Sequence, residues 1–241
     1  MSHNLVTSHS LLQDALEQLV PEESLSNAQS HFNQIEIVKN LLESKKQNFA
    51  ESVLLITKRV IDLQAQIEGF KILSGTNKLD MGNHNIKKVL RNILYSFNDD
   101  FNRNNIELRW HIDFDLAEKY PLKIDYKKLN VALHHFFNNA TKYTRPNSYI
   151  DITYDPINRI LSFGMMSVKI EPNEVKDIFT LRFRGKNASK IQSGDGVGMY
   201  MVKKALDLLK ANIEVEPNYS KHEEGINGVK YTFNSFIIKF S

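Results

Sequence analysis

The chain has 241 residues and no cysteine, and only ten glycines and six prolines interrupt it. Without cysteine there is no disulfide, no thiolate metal ligand and no cysteine nucleophile. No uncharged apolar run reaches the roughly 18 residues that cross a bilayer, and the start does not resemble a signal peptide. The net charge is only +3, so no broad basic excess points to nucleic acid. We therefore expect a cytoplasmic protein that binds no nucleic acid and that meets a membrane, if at all, only through a region not contained in this sequence.

Glycine and proline are also unevenly distributed. Neither residue occurs between Glu22 and Glu68, as an uninterrupted helix requires. Apolar residues here follow the alternating 4-3 spacing of a heptad seam, namely Phe49, Val53, Ile56, Val60, Leu63, Ile67 and Phe70. The polar run at residues 44–48 suits a tight turn between this helix and an earlier one. A lone hairpin leaves apolar faces uncovered, so we expect two copies to form a four-helix bundle.

The sequence divides into three segments. Residues 1–21 are expected to be an N-terminal helix or linker, and residues 22–75 a helical-hairpin dimerisation domain. Residues 84–241 mix helical and strand patterns. We predict helices over 86–97, 124–143, 173–179 and 197–210, and strands over 105–114, 149–154, 160–166, 213–215 and 229–240. The expected fold class is α+β, with the bundle followed by an α/β sandwich of a mixed sheet packed on helices.

Three stretches of the last segment could carry chemistry. In the first, Asn139 offers an amide oxygen suited to magnesium, and Lys142 lies on nearly the same helix face. The second stretch, residues 178–185, ends a predicted helix and feeds a basic loop that could fold over an anion. In the third stretch, glycines precede a helix whose N-terminus favours phosphate; these are Gly194, Gly196 and Gly198. Taken singly, each stretch has an ordinary alternative: a polar helix end, a solvated basic loop and a turn.

In this order, and behind a heptad hairpin, the stretches resemble the core of a sensor histidine kinase. Residues 138–144 are similar to the family's N box, residues 179–185 to its F box and residues 194–198 to its second glycine box. The resemblance implies a dimeric hairpin joined to an ATP-binding domain of the Bergerat type, with residues 179–193 as the lid over the nucleotide.

The resemblance also implies roles for individual residues. Asn139 would hold magnesium, and Tyr143 would line the nucleotide site. Phosphate would be held by Lys142 and by the glycine backbone at Gly196 and Gly198. The basic lid residues Arg182 and Arg184 would offset developing phosphate charge during transfer.

The first glycine box departs from the family pattern. Met165 stands where the family has an aspartate that reads the adenine amino group, and Ser167 and Lys169 replace glycines. A lost charge-assisted hydrogen bond to a buried base costs roughly 1.5–3 kcal/mol, or about one to two decades of affinity. This departure predicts weakened binding of ATP and magnesium.

The phosphoacceptor motif departs as well. His31 is the one histidine on the first hairpin helix, but Phe32 follows it where the family has an acid, and Glu36 stands in the place of a proline. Aligning by distance from the hairpin turn instead puts Ser26 in the acceptor position. His31 is therefore either an imidazole nucleophile on the bundle flank or a polar residue at the edge of a seam. No histidine pair has the spacing and acidic company of a metal site, so we expect no structural or catalytic zinc.

These observations lead to two functional hypotheses. In the first, the chain is the core of a two-component signalling protein that binds ATP and magnesium, transfers phosphate to His31, and then passes it to a response regulator. In the second, it is a pseudokinase or a phosphotransfer and docking protein with weak or no ATP binding. An ATPase of the wider superfamily is a third possibility, against which the hairpin argues.

Overall fold

The computed structural model describes residues 2–26, 30–44, 46–76, 78–192, 194–225 and 228–241. The chain forms two compact units, residues 1–70 and 71–241. None of the helices in the described ranges is long and apolar enough to span a membrane.

The first unit is helical. Its elements are α1 (Ser2–Leu19), α2 (Glu22–Ser26), α3 (His31–Ser44) and α4 (Lys46–Ser74), the last of which runs on into the second unit. Pro21 separates α1 from α2 because proline lacks the N–H that would continue a helix. Helix α2 ends at Ser26, and α3 begins at His31 after a bend at Ser30. The expected turn at residues 44–48 is shorter than predicted: α4 already begins at Lys46, and Lys45 lies outside the described residues.

The predicted heptad seam lies largely on the surface of the first unit. Val53, Val60, Ile67 and Phe70 expose 38–52% of their surface in the single chain. Ala65, on another face of the same helix, is buried. Burying apolar surface is favourable by roughly 25 cal/mol per Å², so a packing partner that covers this stripe would stabilise the assembly. The exposure is therefore consistent with the predicted pairing of two chains along this seam.

The second unit is an α/β sandwich, as expected. Its strands are β1 (Met81–His84), β2 (Ile106–His111), β3 (Leu122–Asp125), β4 (Ser148–Asp155), β5 (Ile160–Val168), β6 (Asn212–Glu224) and β7 (Lys230–Lys239). Its helices are α5 (Ile86–Tyr95), α6 (Asn98–Arg103), α7 (Phe114–Lys119), α8 (Tyr126–Tyr143) and α9 (Gly198–Leu208), with a short 3₁₀ turn at Ala188–Lys190. The main sheet has the order β2-β4-β5-β7-β6; β2 and β4 are parallel and the other pairs antiparallel. Strands β1 and β3 form a separate antiparallel pair.

Aromatic packing fixes α8 against the sheet. The Phe136 ring lies 4.6 Å from that of Phe163 on β5 and 5.3 Å from that of Phe236 on β7, measured between centroids. Phe137 and Phe163 are fully buried and meet edge to face at 5.3 Å. Each such ring removes a large apolar area from water, and the offset geometry adds to that gain. The C-terminal turns of α8, which carry the N-box stretch, are thereby held at a defined height over β5.

Several elements differ from the sequence expectation. Helices α6 and α7 and strands β1 and β3 were not expected, and α8 begins at Tyr126 because the Asp125 carboxylate caps the N–H groups of Lys127 and Lys128. The predicted helix over 173–179 is wrong, since these residues form turns. The Glu174 carboxylate accepts from the backbone N–H of Glu171 and of Lys186, so this segment is held by loop contacts instead of by a helical ladder.

Candidate functional site

The end of α8 is attached to strand β5 by three polar contacts. The Thr144 hydroxyl donates to the Met165 sulfur at 3.2 Å, and the Arg145 N–H donates to the Met166 carbonyl at 2.8 Å. Thr144 also forms an isolated antiparallel bridge with Ser167. Because Thr144 closes α8 at its C-cap, these bonds fix the last helical turn relative to the sheet. The helix residues before Thr144 therefore stand at a set position over the end of β5.

Asn139 lies directly against the start of α9. A Cβ added to Gly198 would lie 2.8 Å from the Asn139 amide nitrogen and 3.2 Å from its oxygen. With this position of the Asn139 amide, only glycine fits at residue 198, because a real Cβ essentially never lies closer than 3.0 Å to another group. Val197, at the N-cap of α9, makes no side-chain capping bond, which leaves the first helical N–H groups for another acceptor. The amide of Asn139 thus lies at the positive end of α9, the end of a helix that favours an anion.

Gly196 joins the glycine stretch to the F-box stretch. The Arg182 N–H donates to the Gly196 carbonyl at 3.0 Å. Gly196 has a φ of +65°, and a Cβ there would meet the Arg182 carbonyl carbon and the Phe183 oxygen at 2.6 Å. Both the backbone angle and the lack of space require glycine at this position. The second and third predicted stretches are therefore in backbone contact.

The predicted lid is attached at its base by two buried polar residues that sequence reasoning missed. Glu174, which is 9% exposed, accepts from the Lys186 N–H at 2.7 Å and lies against Gly185. The Asn187 amide donates to the Lys169 carbonyl and to the Glu171 carboxylate, each at 3.0 Å. Hydrogen bonds from Lys169 and Asn187 lower the pKa of Glu171 below its ordinary value of 4.5. The one sign of this anchor in the sequence is that Glu174 follows Glu171 by three residues.

The basic lid residues point to different surroundings. Arg182 is exposed and adopts a positive φ of 64°, which places it in a tight turn at the Gly196 contact. Arg184 is half-buried, and its guanidinium donates to the Gln192 carbonyl across the lid. Gly194 is open, with nothing within 4 Å of an added Cβ, and Ser193 lies outside the described residues.

Met165 is buried within the sheet, where it is 2% exposed and pairs with Ile150 on β4 and Asn234 on β7. Beside it lies a buried polar cluster. The fully buried Asn234 amide donates to the Ser167 hydroxyl at 2.7 Å, and its oxygen accepts from the Thr232 hydroxyl at 3.1 Å. These groups satisfy one another, so the base end of the site offers a thioether and neutral hydroxyls where the resemblance implies a carboxylate.

The face of α8 that carries Asn139 also carries a half-buried, neutral histidine. His135 and Asn139 are four residues apart and Lys142 three further, so all three share one helix face. Burial lowers the pKa of His135 to about 3, and charge on His134 and Lys142 lowers it further. Desolvation also lowers the pKa of Lys142 below its ordinary 10.5, although the residue keeps much of its surface in water. Tyr143, also half-buried, follows Lys142 at the end of the helix.

The acceptor candidates lie in the first unit and are described by themselves. His31 is exposed at the first residue of α3, and its Nδ1 lies 3.4 Å from the Gln34 side-chain oxygen. Ser26 is also exposed, and its hydroxyl donates to the Glu23 carbonyl at 2.8 Å. Both side chains are thus open to a reagent, and neither has an adjacent acid that would take its proton. Neither register therefore recreates the acceptor motif.

Comparison with known proteins gives a class to this arrangement. Residues 124–236 match the family described as histidine kinase-, DNA gyrase B- and HSP90-like ATPase. The matched range includes Met165 and the N-box, F-box and glycine stretches. The catalytic domain of the histidine kinase ThkA, without nucleotide, aligns with a TM-score of 0.52 over 67% of this chain and 96% of that one, at 20% identity. The second unit thus has the fold of an ATPase-like catalytic domain.

A curated relative matches a larger share of the chain. The sensor histidine kinase YxdK of Bacillus subtilis is 25% identical over 175 residues, which are 70% of this chain and 53% of the relative. The chain therefore spans about half the length of that protein. The family match and the relative support a sensor histidine kinase core. Its particular departures are Met165 in the first glycine box and the incomplete motif around His31.

Proposed function

We propose that the second unit binds a nucleoside triphosphate, ATP with magnesium, between α8, the lid and the start of α9. The observation that carries this proposal is the contact of Gly198 with Asn139. It places the Asn139 amide beside the N-terminus of α9, where the helix favours an anion and the amide oxygen can bind its cation. Asn139 would hold the magnesium ion, whose chemistry is to neutralise phosphate charge when bound. Lys142, Tyr143 and the backbone at Gly196 and Gly198 would hold the rest of the nucleotide.

The reaction we propose is transfer of the terminal phosphoryl group to a histidine. The bond between phosphorus and the bridging oxygen breaks, a bond to a His31 ring nitrogen forms, the ring proton leaves to solvent, and ADP remains. Arg182 and Arg184 would offset charge on the transferring group. The phosphoryl group would then pass to an aspartate of a response-regulator receiver domain in the cytoplasm, where ATP is present.

The second candidate is a docking or phosphotransfer protein without ATP chemistry. The buried Met165 favours it, because a thioether cannot accept a strong hydrogen bond from a base amino group. The same fold would then present the hairpin to a regulator or to another kinase. His31 is accessible in either case.

Both candidates act as homodimers. The exposed seam at Val53, Val60, Ile67 and Phe70 supports this, since isolated monomers would leave a continuous apolar stripe in water. A second copy presents the same stripe, so twofold pairing covers both.

Labelling distinguishes the candidates. The chain is incubated with γ-labelled ATP and magnesium, and acid-labile label is measured on wild type and on His31→Ala. The kinase proposal expects label that His31→Ala removes and that a receiver domain discharges. Label acquired from a phosphorylated receiver domain, with none from ATP, would establish the second candidate instead.

A further inference from the structure

A cavity of about 520 Å³ lies between α5, α6 and strand β2 at the edge of the main sheet. Sites for small molecules have volumes of roughly 300–1,000 Å³, so this cavity is large enough to enclose a ring system. Among the described strands only β4 pairs with β2, and the neighbouring helix α6 has six residues, so this edge is thinly covered. The residues that line the cavity do not belong to α8, the lid or the glycine stretch, so it is distinct from the proposed nucleotide site.

Apolar side chains line this cavity together with two partly exposed aromatic rings. Leu94, Phe101 and Ile106 are only 1–4% exposed. Trp110 is half-buried on β2, and Tyr95, at the end of α5, exposes 50% of its surface. A flat ring that enters here gains from leaving water and from offset or edge-to-face contact with these aromatic side chains. The lining therefore favours an aromatic ligand.

The polar groups of the lining are one cation, one carboxylate and two amides. Among the described residues, no carboxylate pairs with the guanidinium of Arg91, which lies on α5. The Glu107 carboxylate is bound by the Arg109 guanidinium at 2.7 Å, so its charge is already matched outside the cavity lining. Within the same part of the chain, the side-chain amides of Asn98 and Asn102 make no hydrogen bond to protein. The cavity thus offers one unmatched positive charge and two neutral hydrogen-bonding groups.

We propose that this cavity binds a small aromatic carboxylate, with its ring against Trp110 and Tyr95 and its carboxylate on Arg91. A guanidinium binds a carboxylate through two parallel N–H groups, and one guanidinium matches the single negative charge. A phosphoryl group carries more charge and would call for a second cation, which the lining does not contain. This site is an addition to the proposed nucleotide binding and does not depend on it.

The test uses the single tryptophan of the chain, Trp110, whose fluorescence reports on this cavity alone. Biphenyl-4-ylacetate and its neutral amide are titrated into the whole chain, with excitation at a wavelength that neither probe absorbs. The titrations are made on wild type, Arg91→Gln and the matched control Arg103→Gln. Arg103 is an exposed arginine of α6 that pairs with Asp99 at 2.7 Å and does not line the cavity.

We expect wild type to bind the carboxylate with a Kd of roughly 0.1–1 mM and the amide about three- to tenfold more weakly, because an exposed guanidinium forms a partly screened ion pair. Arg91→Gln should bind the two probes equally, whereas Arg103→Gln should keep the wild-type preference. Nuclear Overhauser contacts between the probe ring and the Trp110 indole should place the ligand in the wild-type cavity.

Three results would overturn the proposal. The first is the absence of a saturable change in Trp110 fluorescence, or equal affinities of wild type for the two probes. The second is an equal loss of preference in both arginine variants, which would mean that only net charge matters. The third concerns a peptide occupant, represented by a blocked tripeptide with a central phenylalanine. If this peptide binds more tightly than the biphenyl probe and protects the β2 backbone N–H groups from hydrogen exchange, the cavity receives a peptide strand instead.

Discussion

Replacing Gly198 by alanine should weaken nucleotide binding without weakening the fold. The new Cβ would lie 2.8 Å from the Asn139 amide nitrogen and 3.2 Å from its oxygen. Ordinary contact begins at 3.4 Å, so the amide must retreat by about 0.6 Å at the nitrogen. The displaced group is the end of a side chain, which can rotate away at little cost. The proposed cation ligand would then be turned out of place.

The substitution should change fold stability and nucleotide affinity in opposite directions. Gly198 is the first residue of α9 and does not have a positive φ, so alanine there restricts the unfolded chain and adds about 0.4–1 kcal/mol of stability. The free energy of unfolding should therefore stay level or rise. Disturbing the group that holds a metal typically costs about 10–100-fold in metal affinity, and we expect a loss at the lower end of that range for the nucleotide with magnesium.

Two neighbouring glycines provide the controls. Gly194→Ala introduces a Cβ with nothing within 4 Å, so binding should be unchanged. Gly196→Ala combines a positive φ with backbone clashes at 2.6 Å, so it should cost about 1–3 kcal/mol in strain and disrupt the lid contact. Calorimetric titration and thermal unfolding of the three variants test the series. Wild-type affinity in Gly198→Ala, or an equal loss in Gly194→Ala, would refute the assignment of Asn139.

Four further outcomes follow from the structure. Met165→Asp should raise ATP affinity by about one to two decades in titrations. Thermal melts of this variant should show lower stability, because burying a carboxyl group is costly. Unchanged affinity would mean that Met165 does not lie in the adenine site. Asn234→Ala should cost about 1–3 kcal/mol in denaturant unfolding, since it leaves buried Ser167 and Thr232 groups unsatisfied; a smaller loss would mean the cluster is not needed. Val60→Glu should give monomers by sedimentation with helix content retained, and a persisting dimer would refute the seam. The depressed pKa of Glu171 contributes stability above the ordinary 4.5 that is lost as pH falls through the folded value, and Glu171→Gln should remove this part of the acid titration.

The parts of the fold that follow local patterns were predictable from sequence. Alternation over residues 105–114 predicted β2, and β4, β5, β7, α8 and α9 were each predicted within a few residues of their observed bounds. Strands β1 and β3 were not expected because each is four residues long and is defined by pairing with a distant segment. Their register depends on residues about 40 positions apart, which no local pattern encodes.

The order of the three site stretches along the chain was predictable from sequence, but the contacts between them were not. The three stretches were identified, and the structure places Gly196 against Arg182 and Gly198 against Asn139. What sequence could not show is the support beneath them. Glu174 looked like a residue of a helix, yet its burial and its bond to Lys186 across the lid make it a loop anchor. The hydrogen bonds that Asn234 makes with Ser167 and Thr232 likewise depend on strand pairing.

The central claim is that this chain binds ATP with magnesium at Asn139. Its most direct test is calorimetric titration of the purified chain with ATP and magnesium, with Asn139→Ala measured in parallel. The account predicts saturable binding in wild type, weakened by Met165 but measurable, and its loss in Asn139→Ala with an unchanged thermal melt. The absence of any binding up to millimolar nucleotide, or equal binding by both proteins, would contradict it.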